Sequence, residues 1–188
     1  MVSFGLYGGM FDPPHLGHLR ALHTAAAAFN GYGKRSSDFS IGITPTNRQP
    51  LKTSNVSYEH RFHMTNLLHK CCHARAFVNS VERDFDIQNT YDLVQHYHIH
   101  ENLSRDNLVL IIGSDTLFNL QHWFRAERLC ASVNIFSVPD IGEHSTWIRE
   151  QFKTEIPPLE NDRLKAALMY HECPELMHYI LDNNLYGD

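Results

Sequence analysis

The sequence predicts an α/β protein with a doubly wound parallel sheet of about five strands and a helical C-terminal portion. Short apolar segments alternate with segments of helical periodicity, and this alternation is typical of βαβ units. The segment at 108–113, LVLIIG, is an unbroken apolar run, as expected for a central parallel strand buried on both faces. The chain has 188 residues, 43% of them hydrophobic, which suits a single domain with one good core.

The predicted elements follow in order along the chain. Apolar runs predict strands at 2–7, 39–43, 76–81, 108–113 and 133–138. Helical spacing predicts helices at about 15–29, from 57 onward, around 91–97, and at 116–120, 125–129, 145–153, 161–170 and 174–181. We therefore expect residues 1–188 to form one domain, whose helical portion starts at about 144. The polar segment at 46–54 predicts a long surface loop of the kind that carries binding residues.

Composition and charge argue against several classes of partner. The formal net charge is −5, so no global basic field favours nucleic acid. No apolar run approaches the roughly twenty residues that span a bilayer. The N-terminus lacks the basic start and the long apolar stretch of a signal peptide. We therefore expect a cytoplasmic protein without nucleic-acid or membrane partners; the sequence carries no signal for its oligomeric state.

Fourteen histidines and four cysteines raise the question of a metal site. The histidines are scattered, with one denser group at 96, 98 and 100, whereas a metal site needs a compact ligand set at defined spacing. Solvated histidines on helix faces are therefore the favoured interpretation. The cysteines, at 71, 72, 130 and 173, form no CxxC pair, so we expect reduced structural thiols in a reducing compartment.

One stretch, GGMFDPPHLGH at residues 8–18, carries the strongest functional signal. It joins the first predicted strand to the first predicted helix. Gly8 and Gly9 let backbone N–H groups approach an anion, and the positive end of the helix dipole points toward it. His15 and His18, at i and i+3, lie on one face of the first helical turn. They can donate hydrogen bonds to phosphate oxygens or, if protonated, add positive charge, so the stretch predicts a phosphate site.

Other polar segments follow the remaining predicted strands. They occupy 45–52 after the second strand, 113–115 after the fourth and 144–146 beyond the fifth. Ligands bind at the carboxyl ends of the strands in a doubly wound sheet. We therefore expect these segments to surround the same site as the opening stretch.

The two commoner glycine-rich phosphate motifs do not fit the opening stretch. It lacks the Lys-Ser/Thr ending of a P-loop, and its glycines do not match GxGxxG. A histidine pair in place of the P-loop lysine suits chemistry at the α-phosphate of a nucleotide, where charge develops on a pentacovalent phosphorus. The alternative is that Asp12 and Pro13 form a simple turn, with His15 near a helix start.

The stretch resembles the (H/T)xGH signature of the nucleotidyltransferases, and its form is most similar to that of the bacterial nicotinate-mononucleotide adenylyltransferases. The resemblance covers most of the chain and implies a Rossmann-like fold. Residues 45–52 are similar to the family's Pro-rich loop, 57–64 to its S-x-E-x-R-x-x-M helix and 110–117 to its IIGxD segment. Residues 145–149 are similar to its SSTxIR signature, and 179–186 to its closing YIxxxxLY.

The resemblance implies a reaction and the residues that serve it. The 5′-phosphate of a mononucleotide attacks the α-phosphorus of ATP and displaces pyrophosphate, while the protein positions the groups and stabilises charge. Mg²⁺ is expected to bridge phosphates rather than to sit in a protein cage. The implied catalytic residues are His15, His18 and Arg149. The implied ATP-binding residues are Gly8, Gly9, Met10, Phe11, His15, His18, Gly113, Asp115, Ser145, Thr146 and Arg149.

The implied acceptor is nicotinate or nicotinamide mononucleotide, and its expected contacts are Asp12, Lys52, Tyr91, Asp92 and Trp123. Lys52 alone matches the family's PPHK loop, because Leu51 stands in place of its histidine. Asp92 follows Thr90 and Tyr91 where the family has Ser-Tyr-Thr. Its charge would disfavour the carboxylate of nicotinate and tolerate the carboxamide of nicotinamide. Trp123 either stacks on the pyridine ring or is a core aromatic.

Two other functions stay open at this point. Another phosphate ester, such as pantetheine phosphate, could replace the mononucleotide as acceptor. The chain could also be a non-catalytic, nucleotide-binding regulatory module, given Leu51 and a segment between 138 and 145 that is shorter than in the relatives. Retention of both histidines and Arg149 favours an active enzyme.

Overall fold

The computed structural model describes residues 2–30, 39–47, 56–140, 142, 144–154 and 156–187. In these residues the protein forms a five-stranded sheet that is parallel throughout. Its order is β3-β2-β1-β4-β5. The chain moves outward from β1 to β3 and then crosses to the other side of β1, so the sheet is doubly wound. The strands are β1 (Phe4–Gly9), β2 (Ser40–Pro45), β3 (Ala76–Val78), β4 (Leu108–Gly113) and β5 (Asn134–Val138).

Helices cover both faces of the sheet. In the described residues they are α1 (Leu16–Asn30), α2 (Tyr58–Lys70), α3 (Val81–Asp84), α4 (Thr90–His100), α5 (Ser114–Asn119), α6 (Ala126–Ser132), α7 (Ser145–Gln151), α8 (Asp162–Ala167) and α9 (Pro174–Asp182). Short 3₁₀ turns also occur at Leu120–His122 and Pro158–Glu160. None of the helices in these ranges is long and apolar enough to cross a membrane.

Successive residues of β4 enter two separate cores. Val109 and Ile111 join the core under α1, α2 and the C-terminal helices. Leu108, Leu110 and Ile112 join a second core under α4 and α6. Both faces of the strand are therefore buried, which is why it is apolar at nearly every position.

The predicted fold class is confirmed, and most predicted element boundaries are close to the observed ones. The third strand is the main exception: it was expected over 76–81 but ends at Val78. Val81 instead begins α3, where its side chain packs against the second core. The fifth helix also starts earlier than predicted, at Ser114, directly after β4.

The prediction that the histidines are solvated on helix faces is wrong for several of them. The ring of His98 lies between two backbone carbonyls, with Nδ1 in close contact with Leu103 O and Nε2 3.0 Å from Ser132 O. His69 Nε2 lies 2.7 Å from Ala76 O and links α2 to β3. These partly buried rings join neighbouring elements through the backbone. Within the described ranges, no group of three or more His, Cys, Asp or Glu residues could hold a metal ion.

Candidate active site

The glycines at the ends of β1 and β4 lie where the two halves of the sheet diverge, the usual position of a ligand crevice in such folds. Gly8 is exposed, and a Cβ built there would meet only Thr44 O, at 3.9 Å. Packing therefore does not require glycine at Gly8, whereas open backbone at this point suits close approach of a ligand. A Cβ at Gly113 would lie 2.5 Å from Asp115 Oδ1 and would displace that carboxylate.

Buried side chains hold the opening loop, residues 10–15 between β1 and α1, in place. Arg61, on α2, is only 4% exposed, and its Nη1 donates to Met10 O at 2.9 Å and to Thr46 O at 2.8 Å. Phe11, which adopts a left-handed φ of 49°, is 1% exposed and packs its ring 4.8 Å from that of His18. The loop is therefore anchored on one side to the loop after β2 and on the other to the first turn of α1.

The structure brings His15 and His18 together, as their spacing predicted. Their ring centroids are 3.9 Å apart. His15 Nδ1 accepts a hydrogen bond from the backbone N–H of Gly17, and His18 Nδ1 accepts one from the backbone N–H of His15, each at 3.1 Å. Since Nδ1 is the acceptor in both rings, each neutral imidazole carries its proton on Nε2. The backbone therefore fixes both histidines as Nε2–H donors.

Both histidines are neutral in the free protein at pH 7. Burial and, to a lesser extent, the neighbouring His144 lower the pKa of His15 to about 4, against the opposing effect of Asp140. Burial also lowers the pKa of His18 well below its usual value, and the neighbouring His15 adds to that shift. The pair therefore acts as hydrogen-bond donors before any ligand is bound, and a ligand of high negative charge would favour their protonation.

The second half of the site is α7, which docks directly on the opening loop. Ser145 Oγ donates to Pro13 O at 3.0 Å. Arg149 Nη1 donates to Asp12 O at 2.5 Å and lies 3.7 Å from Asp12 Oδ2, while Nη2 donates to Thr146 Oγ1 at 3.1 Å. Residues of the segment that resembles SSTxIR, at 145–149, therefore contact the stretch that resembles the (H/T)xGH signature, at 8–18. More than 130 residues separate the contacting pairs.

The start of α5 completes this edge of the sheet. Asp115 is exposed in the first turn of α5, where its Oδ1 accepts a 3.3 Å hydrogen bond from Thr116 Oγ1. Ser114 Oγ accepts from the backbone N–H of Asp140 at 3.1 Å, which ties the end of β5 to α5. Asp140 also pairs with His144, their side chains 3.5 Å apart. The carboxyl ends of β1, β4 and β5 therefore meet around one crevice.

Two buried acidic groups are part of the site's framework. Asp12 is 4% exposed, and its Oδ1 accepts a 2.7 Å hydrogen bond from the hydroxyl of Tyr186. Glu82, on α3, is 6% exposed and accepts from the backbone N–H of Asn47 at 3.0 Å. Burial raises the pKa of Glu82 to about 7, against the opposing effects of that hydrogen bond and of Arg61.

Three residues of this framework were not predicted from the sequence as site residues: Arg61, Glu82 and Tyr186. Arg61 and Tyr186 do fall in the segments that resemble family motifs, which was the available signal. A cavity of about 520 Å³ adjoins the site beside Tyr186. It is lined by Asp12, Val56, Ser57, His60, Arg149, Lys153, Asn184, Leu185, Tyr186 and Gly187.

The predicted acceptor residues are only partly brought together. Trp123 is partly buried against the second core, as is Tyr91 at the start of α4. Arg125 lies between these segments: its guanidinium carbon is 5.2 Å from the centre of the Tyr91 ring and 4.9 Å from that of Phe124. Arg125, which the sequence analysis did not single out, therefore supplies a cation beside the predicted pyridine-binding residues.

Asp92 is held at the N-terminus of α4 by a reciprocal pair of hydrogen bonds. Its carboxylate accepts from Asn89 Nδ2 at 2.7 Å, and its backbone N–H donates to Asn89 Oδ1 at 3.0 Å. A helix cap accounts for this arrangement without a ligand, so an effect of Asp92 on the acceptor stays a prediction. Lys52 and Leu51 lie outside the described residues.

Comparisons with known proteins identify the family of the chain. The sequence model of the cytidylyltransferase-like family matches residues 6–163. A probable nicotinate-nucleotide adenylyltransferase from Carboxydothermus hydrogenoformans is 30% identical over 179 residues, covering 93% of this chain and 81% of the relative. The nicotinate-nucleotide adenylyltransferase of Bacillus subtilis is 26% identical, covering 99% of each chain.

A solved structure shares the fold along almost the whole length. The nicotinic acid mononucleotide adenylyltransferase of Plasmodium falciparum, complexed with NaAD, superimposes with a TM-score of 0.74 at 16% sequence identity, covering 99% of this chain and 98% of that one. The fold and the two signatures that meet at its crevice therefore define a nucleotidyltransferase. The chain belongs to the cytidylyltransferase-like family and, within it, to the nicotinate-nucleotide adenylyltransferases.

Proposed function

We propose that this enzyme transfers AMP from ATP to nicotinate mononucleotide, forming a pyridine dinucleotide and pyrophosphate in NAD biosynthesis. One observation carries the proposal: His15, which immediately precedes α1, and His18, in its first turn, lie at the end of the loop that Ser145 and Arg149 of α7 contact. The names of the relatives support the choice of reaction.

ATP is proposed to bind across β1 and β4. Gly8, Gly9, Met10 and Phe11 form the backbone floor under the phosphates. Asp115 is proposed to accept from the ribose hydroxyls, which its exposed position at the start of α5 supports. Ser145, Thr146 and Arg149 would hold the β- and γ-phosphates. Arg149 is well suited to this task because a guanidinium binds phosphate oxygens in pairs.

His15 and His18 are proposed to stabilise the charge that develops at the α-phosphorus. Because both Nδ1 atoms already accept backbone hydrogen bonds, both Nε2–H groups are aimed before the substrate arrives. Donors that need no reorganisation at the moment of reaction contribute most to catalysis. The phosphate of the acceptor is itself the nucleophile, so no protein nucleophile is required. Mg²⁺ is expected to arrive on the ATP phosphates and to neutralise part of their charge.

The pyridine ring is proposed to lie near Tyr91 and Trp123. The cation of Arg125, 5.2 Å from the Tyr91 ring, would favour an acceptor with a carboxylate, as nicotinate has. Asp92 would act in the opposite sense from the N-terminus of α4, where Asn89 holds its carboxylate. The cation of Arg125 therefore supports nicotinate over nicotinamide, and Asp92 opposes this preference. Lys52 and Asp12 remain proposed contacts for the acceptor.

The test is pyrophosphate release by the purified protein with ATP and Mg²⁺. Three acceptors are compared: nicotinate mononucleotide, nicotinamide mononucleotide and pantetheine phosphate. Release with nicotinate mononucleotide, accompanied by formation of the dinucleotide, supports the proposal. Release only with pantetheine phosphate would replace the proposed acceptor. Tight ATP binding without release with any of the three would indicate a regulatory module.

A further inference from the structure

Two cysteines meet where α2 ends and α9 begins. Cys71 is the residue that caps the C-terminus of α2, and Cys173 is the residue immediately before α9. The two helices pack against each other, and His60 Nδ1 of α2 lies 2.8 Å from the hydroxyl of Tyr179 on α9. The proposed reaction uses neither thiol.

Both thiols point at the same backbone oxygen. Cys173 Sγ donates to Leu67 O at 3.3 Å, and Cys71 Sγ lies 3.6 Å from the same atom. Cys71 Sγ is also 3.6 Å from the carbonyl oxygen of Glu172, the neighbour of Cys173. Two sulfur atoms that contact one acceptor are neighbours, and a disulfide bond between them requires side-chain rotation that brings them to roughly 2 Å.

We propose that Cys71 and Cys173 form a thiol modification site at which a low-molecular-weight disulfide, such as oxidised glutathione, produces a disulfide bond between α2 and α9. The other two cysteines lack this relationship. Cys72 follows Cys71 directly, where an adjacent pair cannot easily form a mutual disulfide. Cys130 is exposed on α6, which packs on the other core.

The exposure of the two thiols sets the order of the steps. Cys71 is partly exposed, so its thiolate attacks one sulfur of oxidised glutathione, breaking that S–S bond and releasing one glutathione thiol. Cys173 then gives up its proton and attacks Cys71 Sγ, expelling the second glutathione thiol. Two protein thiols are oxidised to one disulfide, and one small disulfide is reduced to two thiols. Because burial raises the pKa of Cys173 to about 12, the second step is expected to be the slower one.

The bond would join the two segments that hold the opening loop. Arg61 of α2 binds Met10 O and Thr46 O, while α9 leads into Tyr186, which binds Asp12. Closing a loop of about a hundred residues removes much conformational freedom from the unfolded chain. The oxidised protein is therefore expected to unfold at a higher temperature than the reduced one.

The experiment uses the full chain in native buffer, in a Cys130→Ser background that prevents cross-linking through the exposed thiol. The reduced protein is incubated with oxidised glutathione, trapped with an alkylating reagent, digested and analysed by mass spectrometry. Before alkylation the intact product is expected to be about 2 Da lighter than the reduced protein, and its digest is expected to contain a peptide linking Cys71 to Cys173. Its Tm is expected to exceed that of the reduced form by roughly 5 °C or more.

Matched variants separate this site from general thiol reactivity. Cys72→Ser should retain the linked peptide, whereas Cys71→Ser and Cys173→Ser should abolish it. Serine at 173 keeps a donor for Leu67 O, and the fold of each variant is checked by its unfolding transition in the reduced state. A glutathione adduct that persists on Cys71 without resolution, a link through Cys72, or reaction only after unfolding would each overturn the proposal.

Discussion

The hydroxyl of Tyr186 donates a 2.7 Å hydrogen bond to Asp12 Oδ1 across 174 residues of sequence, joining the last segment of the chain to the loop after its first strand. Asp12 is buried, and Arg149 approaches its other carboxylate oxygen at 3.7 Å. Because a buried carboxylate must keep its partners, the C-terminal segment directly stabilises the loop between β1 and α1.

Replacing Tyr186 by Phe removes the hydrogen bond and leaves the ring in place. We expect Tyr186→Phe to lower the free energy of unfolding by about 1–3 kcal/mol, because the buried carboxylate loses a partner. Urea unfolding measures the change. Tyr170→Phe is the control, since its hydroxyl lies 3.4 Å from His178 Nε2 in an exposed position. Equal losses in the two variants would contradict the role assigned to Tyr186.

Removing the ring of His18 should affect turnover more than ATP binding. We expect His18→Ala to lower kcat by about 10²–10³-fold, because its Nε2–H would bind most strongly to the charge of the transition state. The affinity for ATP should fall by no more than about fivefold. Pyrophosphate release gives kcat, and calorimetry gives the affinity.

His23→Ala is the control for His18. His23 lies on the same helix, but its ring stacks on that of His73, with the centroids 6.1 Å apart. It should retain nearly full turnover. Parallel losses of kcat and ATP affinity in His18→Ala would show that the ring contributes equally to both states.

Glu82 should make stability depend on pH. Its pKa is about 7 in the folded protein and near 4.5 in the unfolded chain, so the folded state binds more protons between these values. The contribution of Glu82 to stability is therefore fully present below about pH 4.5 and is lost as the pH rises through 7.

Glu82→Gln tests this dependence. Glutamine keeps an oxygen for the backbone N–H of Asn47 but cannot ionise. We expect the difference in the free energy of unfolding between the variant and the parent to grow by roughly 2–3 kcal/mol, in favour of the variant, as the pH rises from 5 to 8. Urea unfolding at pH 5 and at pH 8 measures the difference. The control is Glu127→Gln, because Glu127 is exposed on α6. A difference that does not change with pH would refute the assignment.

Charge near Tyr91 should set the choice of acceptor. We expect Arg125→Gln to lower kcat/KM for nicotinate mononucleotide by about tenfold relative to nicotinamide mononucleotide, because a favourable charge is lost. Asp92→Asn should shift the same ratio the other way. Steady-state kinetics with both acceptors measures it. If neither substitution moves the ratio, the charges of Arg125 and Asp92 do not determine the specificity.

Those parts of the fold that produce a local pattern of apolar residues could be predicted from the sequence. The apolar run of β4 is a local pattern and was recognised. The glycine turn predicted after residue 7 was wrong, because Gly8 and Gly9 belong to β1 and pair with β2. The third strand was extended too far because Val81 is β-branched, whereas its side chain reaches the core from α3. Local propensity does not distinguish these two routes to burial.

The contacts between site residues could be predicted only where the residues belong to a recognised sequence motif. The meeting of Ser145 and Arg149 with the opening loop was expected from two signatures. The burial of Arg61 under that loop was not, because nothing in the local pattern distinguishes a buried arginine from a solvated one. The same limit applies to Arg125, whose position beside Tyr91 depends on a left-handed turn before α6.

Arg149 already contacts Asp12, so if Arg149 holds the phosphates as proposed, substrate binding is an exchange of partners. A triphosphate would then compete for a guanidinium that has an anionic partner within the protein. A lone phosphate, with less charge to offer, would compete less well than a triphosphate. The carboxylate of Asp12 would therefore act as a threshold that favours highly charged ligands and, after transfer, weakens the binding of products that carry less charge.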